Sequence, residues 1–192
     1  MLPIVLASGS QYRAELLRKL QLDFICSTSH VDETACPGET ADHLARRLSL
    51  AKAQAISAAY PQHLIIGSDQ VAVCGEEFLH KPGTREQALR QLTLQSGRTA
   101  QFYTGICVLN SSNGQSFSGI DLCTVHFKRL SEQQIIRYLD LEQPFDCAGS
   151  FKSEGLGIAL FSRIEGEDPN ALIGLPLIKL LALLTQFGVE VL

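Results

Sequence analysis

The sequence has no tryptophan and one methionine, and aromatic residues make up only 7% of its 192 positions. It also has no run of like charge, since 16 basic and 20 acidic residues give a formal net charge of -4. A chain without a basic tail or patch is a poor candidate for coating a nucleic acid duplex. We therefore expect no stable nucleic acid partner, although a local pocket can still bind a polyanion.

No signal for zinc binding, export or membrane insertion is present. The six cysteines include no CxxC pair, and the five histidines do not complete a zinc pattern. The first residues lack the basic region of a secretory signal. The most apolar stretch, residues 171–184, is interrupted by Gly174, Pro176 and Lys179, whereas a membrane span needs about 20 apolar residues. These features predict no membrane association and a cytoplasmic location in which the thiols stay reduced.

Hydrophobic residues make up 45% of the chain and charged residues 19%, which suits a globular protein and excludes disorder as its dominant state. Apolar runs predict strands, and apolar residues at helical spacing predict helices. The predicted strands cover residues 3–7, 22–27, 63–73, 102–110 and 117–127, and the predicted helices cover residues 11–20, 40–59, 84–95 and 131–141.

Turn and capping residues mark how these elements connect. Residues 111–114 read Ser-Ser-Asn-Gly, which predicts a hairpin between the last two strands. The pair Asp168–Pro169 is typical of a helix start and predicts that the last helix opens there, divided by Gly174 and Pro176. Alternating strands and helices with a central hairpin predict an α/β fold, a mixed β-sheet with flanking helices, in a single domain spanning residues 1–192.

A turn of small residues between the first strand and the first helix can bind an anion. Backbone N–H groups and the helix dipole favour negative charge there, and Ser8, Ser10 and Arg13 would add donors for phosphate oxygens. The alternative is that the two serines only cap the helix while Arg13 lies in solvent. The segment matches neither GxxxxGK[ST] nor GxGxxG, so it leaves both interpretations open.

Acidic and basic residues elsewhere do not indicate a function when each is considered alone. Asp69 interrupts an apolar strand, where a carboxylate is costly to bury without a partner. Glu33 and Lys52 are of the kinds that usually lie in solvent. The glycines around Glu154 favour either backbone approaching a ligand or a plain connecting loop.

Taken in order, the segments LASGSQYRAELL, VDET, LAKAQA, GSDQVAV, HKPGT, YTG, AGSFKSEG and DPNALIGLPL closely resemble the Maf family of nucleotide pyrophosphatases, from Leu6 to about Leu177. The resemblance implies a mixed α/β fold of the Maf/ITPase-like type, with two lobes around a deep cleft. It also implies hydrolysis of a nucleoside triphosphate to the monophosphate and pyrophosphate. The reaction would depend on a divalent metal cation, Mg, Mn or Co, as its cofactor.

The resemblance also implies roles for individual residues. Asp69 corresponds to the proton acceptor, and Glu33 and Asp69 are the expected metal ligands, because carboxylate oxygens suit magnesium and manganese. The predicted phosphate-binding residues are Ser8, Ser10, Arg13, Lys52 and Lys81. Three cations and a metal would neutralise the charge that repels an incoming nucleophile.

Three further positions predict which base is selected. Tyr12, Gln70 and Glu154 are similar to the branch of the family that acts on 7-methyl-GTP, although a tryptophan is expected at the first position. The branch that acts on dTTP and UTP has arginine, threonine and glutamine there. A methylated guanine ring is cationic, which favours an aromatic face at Tyr12 and the negative charge of Glu154.

Two rival functions stay open. The chain could catalyse the same reaction on dTTP and UTP, or it could be a non-catalytic nucleotide-binding regulator of cell division. A nucleic-acid-binding module is disfavoured, because the chain has neither a basic excess nor an aromatic-basic face. The expected partner is a small-molecule nucleotide, and the apolar C-terminal segment could support a homodimer.

Overall fold

The computed structural model describes residues 2–192. Within them lie five α-helices: α1 (Gln11–Arg18), α2 (Ala41–Ala55), α3 (Arg85–Gln95), α4 (Glu132–Glu142) and α5 (Leu177–Thr185). The strands are β1 (Ile4–Leu6), β2 (Phe24–Cys26), β3 (Leu64–Cys74), β4 (Glu77–Leu79), β5 (Thr99–Asn110), β6 (Ser116–Phe127) and β7 (Phe161–Glu165). Short 3-10 turns occupy Ala148–Ser150, Leu156–Leu160 and Ala171–Ile173.

The strands form one mixed sheet in the order β2-β1-β3-β5-β6-β7, and β4 pairs with β3. Strand β1 is parallel to both neighbours, with Leu6 opposite Cys26 on β2 and Ile66 on β3. The pairs β3–β4 and β6–β7 are antiparallel. The predicted α/β fold with a mixed sheet is therefore confirmed.

The described chain divides into two compact units, and β3, β5 and β6 contribute residues to both. The first unit comprises residues 2–70, 103–121 and 168–192. Its core includes the fully buried side chains of Leu6, Leu17, Leu64, Ile106 and Leu180. These apolar residues come from β1, α1, β3, β5 and α5, so the helices of this unit are held against its strands by hydrophobic burial.

Two glycines let α2 approach the strands of the first unit unusually closely. A Cβ atom on Gly67 of β3 would lie 2.0 Å from the carbonyl oxygen of Ser49 on α2. A Cβ atom on Gly105 of β5 would lie 2.2 Å from the carbonyl oxygen of Ala45 on the same helix. Any larger residue at either position would push the helix away. This contact sets the position of the last turns of α2, which carry Lys52.

The second unit comprises residues 71–102 and 122–167. Its core contains four phenylalanines, Phe102, Phe127, Phe151 and Phe161. Their rings meet edge to face, with centroids 4.7 to 5.7 Å apart, an arrangement that aromatic pairs prefer. Aromatic packing therefore joins the start of β5, the end of β6 and the start of β7.

The last helix does not begin where the sequence predicts. Helix α5 starts at Leu177, and Asp168–Pro169 lies in a turn instead. The prediction was wrong because the Asp168 carboxylate bonds further along the chain. One oxygen accepts a hydrogen bond from the backbone N–H of Asn170 at 2.8 Å, and the other accepts from the N–H of Ile178 at 2.7 Å. Buried Asp168 thus caps α5 from outside the helix.

All six cysteines are free thiols. Cys74, Cys107 and Cys123 are buried, and burial raises the pKa of the Cys74 and Cys107 thiols. Among residues 2–192, no helix combines the length and the apolar character needed to cross a bilayer.

Candidate active site

The turn between β1 and α1 is organised by hydroxyl groups. Ser10 is the N-cap of α1, and its Oγ accepts a hydrogen bond from the backbone N–H of Arg13 at 3.4 Å. The Oγ of buried Ser8 accepts from the backbone N–H of Ser10 at 3.1 Å. Ser10 therefore caps the helix, Ser8 fixes the turn that precedes it, and phosphate binding by either serine stays a prediction.

The side chain of Arg13 folds back over this turn instead of extending into solvent. Its Nε donates to the carbonyl oxygen of Gly174 at 2.8 Å, and one terminal nitrogen donates to Ser8 Oγ at 3.4 Å. Burial lowers the pKa of the Arg13 guanidinium, while the negative charges of Asp69 and Glu33 act in the opposite direction. The cation is thus half-buried and lies in the field of two carboxylates.

Lys52 joins those two carboxylates. Its Nζ lies 2.5 Å from Oδ1 of Asp69 and 2.6 Å from Oε1 of Glu33. The side chains of Lys52 and Asp69 are each only 9% exposed, whereas that of Glu33 is 60% exposed. The ion pair supplies the partner that a carboxylate within an apolar strand requires. Lys52 does not lie in solvent as a lysine on a helix usually does, because α2 packs closely against β3.

The loop that carries Glu33 is fastened to α2 by a bidentate ion pair. Arg47 Nε donates to Oε1 of Glu39 at 2.8 Å, and its Nη2 donates to the second carboxylate oxygen at 2.9 Å. The same Nη2 donates to the carbonyl oxygen of Thr34 at 3.0 Å. The hydrogen bonds from Arg47 lower the pKa of the Glu39 carboxyl to about 2. Sequence reasoning missed Arg47 and Glu39, because an arginine or a glutamate at a protein surface carries no signal of its partner.

Gln70 follows Asp69 on β3 and is bonded through its amide nitrogen. Its Nε2 donates to the carbonyl oxygens of Ala171 and Leu172 at 2.9 and 3.0 Å. It also donates to the hydroxyl oxygen of Thr104 at 3.1 Å. Thr104 belongs to the YTG segment of the family resemblance, but no residue-level signal pointed to this contact.

The structure distributes the predicted site residues over both units. The first unit contains Ser8, Ser10, Tyr12, Arg13, Glu33, Lys52, Asp69 and Gln70. Within it, Arg13, Lys52 and the two carboxylates come together. Lys81 and Glu154 belong to the second unit and are exposed. Their roles, like those of the other site residues, stay predictions.

A divalent cation can be tested against the donors present. Among residues 2–192, no group of three or more histidine, cysteine or acidic side chains is suited to hold a metal. Glu33 and Asp69 do supply two carboxylates that converge on one ammonium group. Magnesium is usually bound through one or two carboxylates together with substrate phosphates and water. The donor set therefore fits a cation that arrives with a polyphosphate.

An α/β fold that brings a half-buried arginine, a buried lysine and two carboxylates together defines a class, that of proteins suited to phosphorylated ligands. The chain belongs to the Maf family, because the family model for Maf-like proteins matches residues 3–187.

Close relatives cover the whole chain. It is 53% identical over 192 residues to the 7-methyl-GTP pyrophosphatase of Colwellia psychrerythraea. The alignment covers 100% of this chain and 96% of that protein. It is 50% identical to the 7-methyl-GTP pyrophosphatase of Pseudomonas aeruginosa over 188 residues, 98% of each chain. Among solved structures, the Ham1 protein of Staphylococcus aureus has a TM-score of 0.46 and 18% identity, covering 66% of this chain and 72% of that one.

Proposed function

We propose that this protein hydrolyses a nucleoside triphosphate to the monophosphate and pyrophosphate, and that 7-methyl-GTP is its preferred substrate. The observation that carries the proposal is the cluster of Arg13, Lys52, Asp69 and Glu33. It occurs in a Maf chain whose full-length relatives bear the name 7-methyl-GTP pyrophosphatase. A triphosphate carries several negative charges, and this cluster offers both cations to bind them and carboxylates to work beside them.

The cationic side chains would bind and orient the phosphates. Arg13 presents a planar guanidinium held by Gly174 and Ser8, which is suited to two phosphate oxygens at once. Lys52 presents a compact ammonium that is already desolvated, so its attraction for an anion is weakly screened. From the sequence we add Lys81 as a third phosphate-binding cation.

Asp69 would accept the proton of the attacking water. Water adds to the α-phosphorus, the bond from that phosphorus to the oxygen bridging to the β-phosphate breaks, and pyrophosphate leaves with the bridging oxygen. A divalent cation bound with the substrate supplies additional charge neutralisation. Glu33 and Asp69 are the residues that would hold it, and Lys52 compensates the negative charge of both carboxylates before substrate binds.

Base selection is assigned to Tyr12, Gln70 and Glu154. An aromatic face attracts the cationic ring of 7-methylguanine, and a carboxylate can accept from its ring N–H and exocyclic amine. A pyrimidine would leave such a carboxylate without its partners, and unpaired polar groups discriminate strongly between substrates.

A substrate panel tests the proposal. Release of pyrophosphate would be measured with 7-methyl-GTP, GTP, dTTP and UTP, each with magnesium, manganese or a chelator. We expect the largest kcat/KM for 7-methyl-GTP and no turnover with the chelator. Faster turnover of dTTP would assign the chain to the pyrimidine branch of the reaction, and binding without any turnover would favour a non-catalytic regulator.

The base-selecting residues are tested by exchanging two of them. The double variant Gln70→Thr with Glu154→Gln should lower the preference for 7-methyl-GTP over dTTP, because the acceptor groups for the purine are reduced. An unchanged ranking of substrates would show that these side chains do not select the base.

The remaining expectations concern location and assembly. A cytoplasmic location is supported by six free thiols, which persist in a reducing compartment. Association into a homodimer stays a prediction from the sequence, and sedimentation of the purified chain at several concentrations would test it.

A further inference from the structure

The side-chain amide of Gln70 has no N–H group left for a ligand. Its amide nitrogen lies 2.9 and 3.0 Å from the carbonyl oxygens of Ala171 and Leu172, and 3.1 Å from Oγ1 of Thr104. A glutamine amide nitrogen has only two hydrogens, and these three acceptors share them. Backbone carbonyls only accept, so the nitrogen and not the oxygen of this amide must face them. The amide oxygen is therefore the one polar side-chain atom of Gln70 that can form a hydrogen bond with a substrate.

Thr104 completes this arrangement from β5. Its side chain is fully buried, and its Oγ1 donates to the carbonyl oxygen of Ala171 at 3.0 Å. Because the single hydroxyl proton is used in that bond, the oxygen can only accept from Gln70. The hydroxyl thus joins the Gln70 amide to the 3-10 turn Ala171–Ile173 and adds a third acceptor that keeps the amide nitrogen facing that turn.

The same turn also holds other site residues. The carbonyl oxygen of Gly174 accepts from Arg13 Nε at 2.8 Å. The single hydroxyl proton of buried Ser68 is shared between this oxygen, at 3.1 Å, and the carbonyl oxygen of Gly105, at 2.8 Å. Gly174 has a φ of +123°, a conformation that other residues rarely adopt. Backbone carbonyls of the turn and of the Gly174 that ends it therefore hold the side chains of Arg13 and Gln70.

We infer that Thr104 is a positioning residue for substrate selection, which holds Gln70 so that its side chain can only accept a hydrogen bond from the base. This inference rests on the proposed function and deepens it. An acceptor suits a base edge that presents N–H groups, and an N–H on a cationic ring is a stronger donor than one on a neutral ring. A threonine in place of Gln70 would carry a hydroxyl that can both donate and accept, so it would select less sharply.

The test compares Thr104→Val with Thr104→Ser. Valine keeps the shape of threonine but lacks the hydroxyl, whereas serine keeps the hydroxyl. The measured quantities are the ratio of kcat/KM for 7-methyl-GTP to that for dTTP, and the Kd of 7-methyl-GMP by calorimetry. We expect valine to lower the ratio and weaken product binding, each by about three- to tenfold, roughly the effect of one hydrogen bond, and serine to retain both.

A matched control removes a hydroxyl that does not contact Gln70. Ser111→Ala loses the bonds of Ser111 Oγ to the backbone of Tyr60 and His63, and should leave the substrate ratio unchanged. If the valine variant does not fold, Thr104→Ala is compared with Thr104→Ser in the same assays.

Two results would contradict the inference. An unchanged substrate ratio in the valine variant would overturn it, even if turnover of every nucleotide fell equally, because a merely structural residue would act equally on each. Wild-type protein that releases no pyrophosphate from any nucleotide would overturn the proposed function and this inference together.

Discussion

The two compact units differ in what they bury. Among residues 2–192, ten polar or charged residues are buried, and eight of them belong to the first unit. These eight are Ser8, Ser49, Lys52, Ser68, Asp69, Thr104, Asp121 and Asp168. The second unit buries Gln95 and Ser150, and its core is rich in phenylalanine. Buried polar groups contribute less to stability than apolar ones. Their concentration in the first unit therefore indicates that this unit carries the functional site.

A large effect on stability should come from separating the buried ion pair. Lys52→Met leaves the Asp69 carboxylate buried without its partner, and we expect the free energy of unfolding to fall by about 3–5 kcal/mol. Adding Asp69→Asn removes the uncompensated charge, so the double variant should be more stable than Lys52→Met. Urea unfolding of the three proteins measures this. A double variant less stable than the single one would show that the pair is kept for stability.

The aromatic core of the second unit should behave differently. Phe127→Ala removes a ring that contacts Phe151 and Phe161. The cavity that it leaves should lower the free energy of unfolding by about 3–5 kcal/mol. Turnover well below the melting temperature should be unchanged, since the ring packs in an aromatic core with Phe151 and Phe161. Phe117→Ala, which removes a half-buried ring of the first unit, is the control, and we expect it to lower the free energy of unfolding by less. A proportional loss of turnover in the Phe127 variant would break the distinction between the units.

The smallest effect concerns the partly buried ion pair of Arg47 and Glu39, which fastens the Glu33 loop. The pKa of Glu39 is lowered from 4.5 to about 2 by its hydrogen bonds from Arg47, so its contribution to stability is present above pH 4.5 and lost as the pH falls to about 2. Melting temperatures of the wild type and Glu39→Gln should differ at neutral pH and converge near pH 2. The exposed Glu76→Gln variant is the control. A difference that persists at pH 2 would contradict the assignment.

Much of the fold could be predicted because its signals are local. The capping box of Ser131 and Gln134 begins α4 as the sequence indicates. The first half of the chain alternates strands and helices as predicted. Strand β7 was not predicted, because four of its five residues are exposed and it is specified by pairing with β6.

The charged part of the site could be predicted, and the network behind it could not. Asp69 attracted attention because a carboxylate in an apolar strand needs a partner, and Lys52 is that partner. The carbonyl oxygens that hold Arg13 and Gln70 have no residue-type signal, since every residue has a carbonyl. Their role depends on the turn Ala171–Ile173, whose position depends on long-range contacts.

The central claim is that the buried cluster of the first unit hydrolyses a bound triphosphate, and Asp69→Asn tests it most directly. Turnover of 7-methyl-GTP and binding of a non-hydrolysable analogue would be measured on the same preparation. We predict that kcat falls by about 10²–10⁴-fold, because the proton acceptor is lost, while the analogue still binds. A variant that retains wild-type turnover would contradict the account.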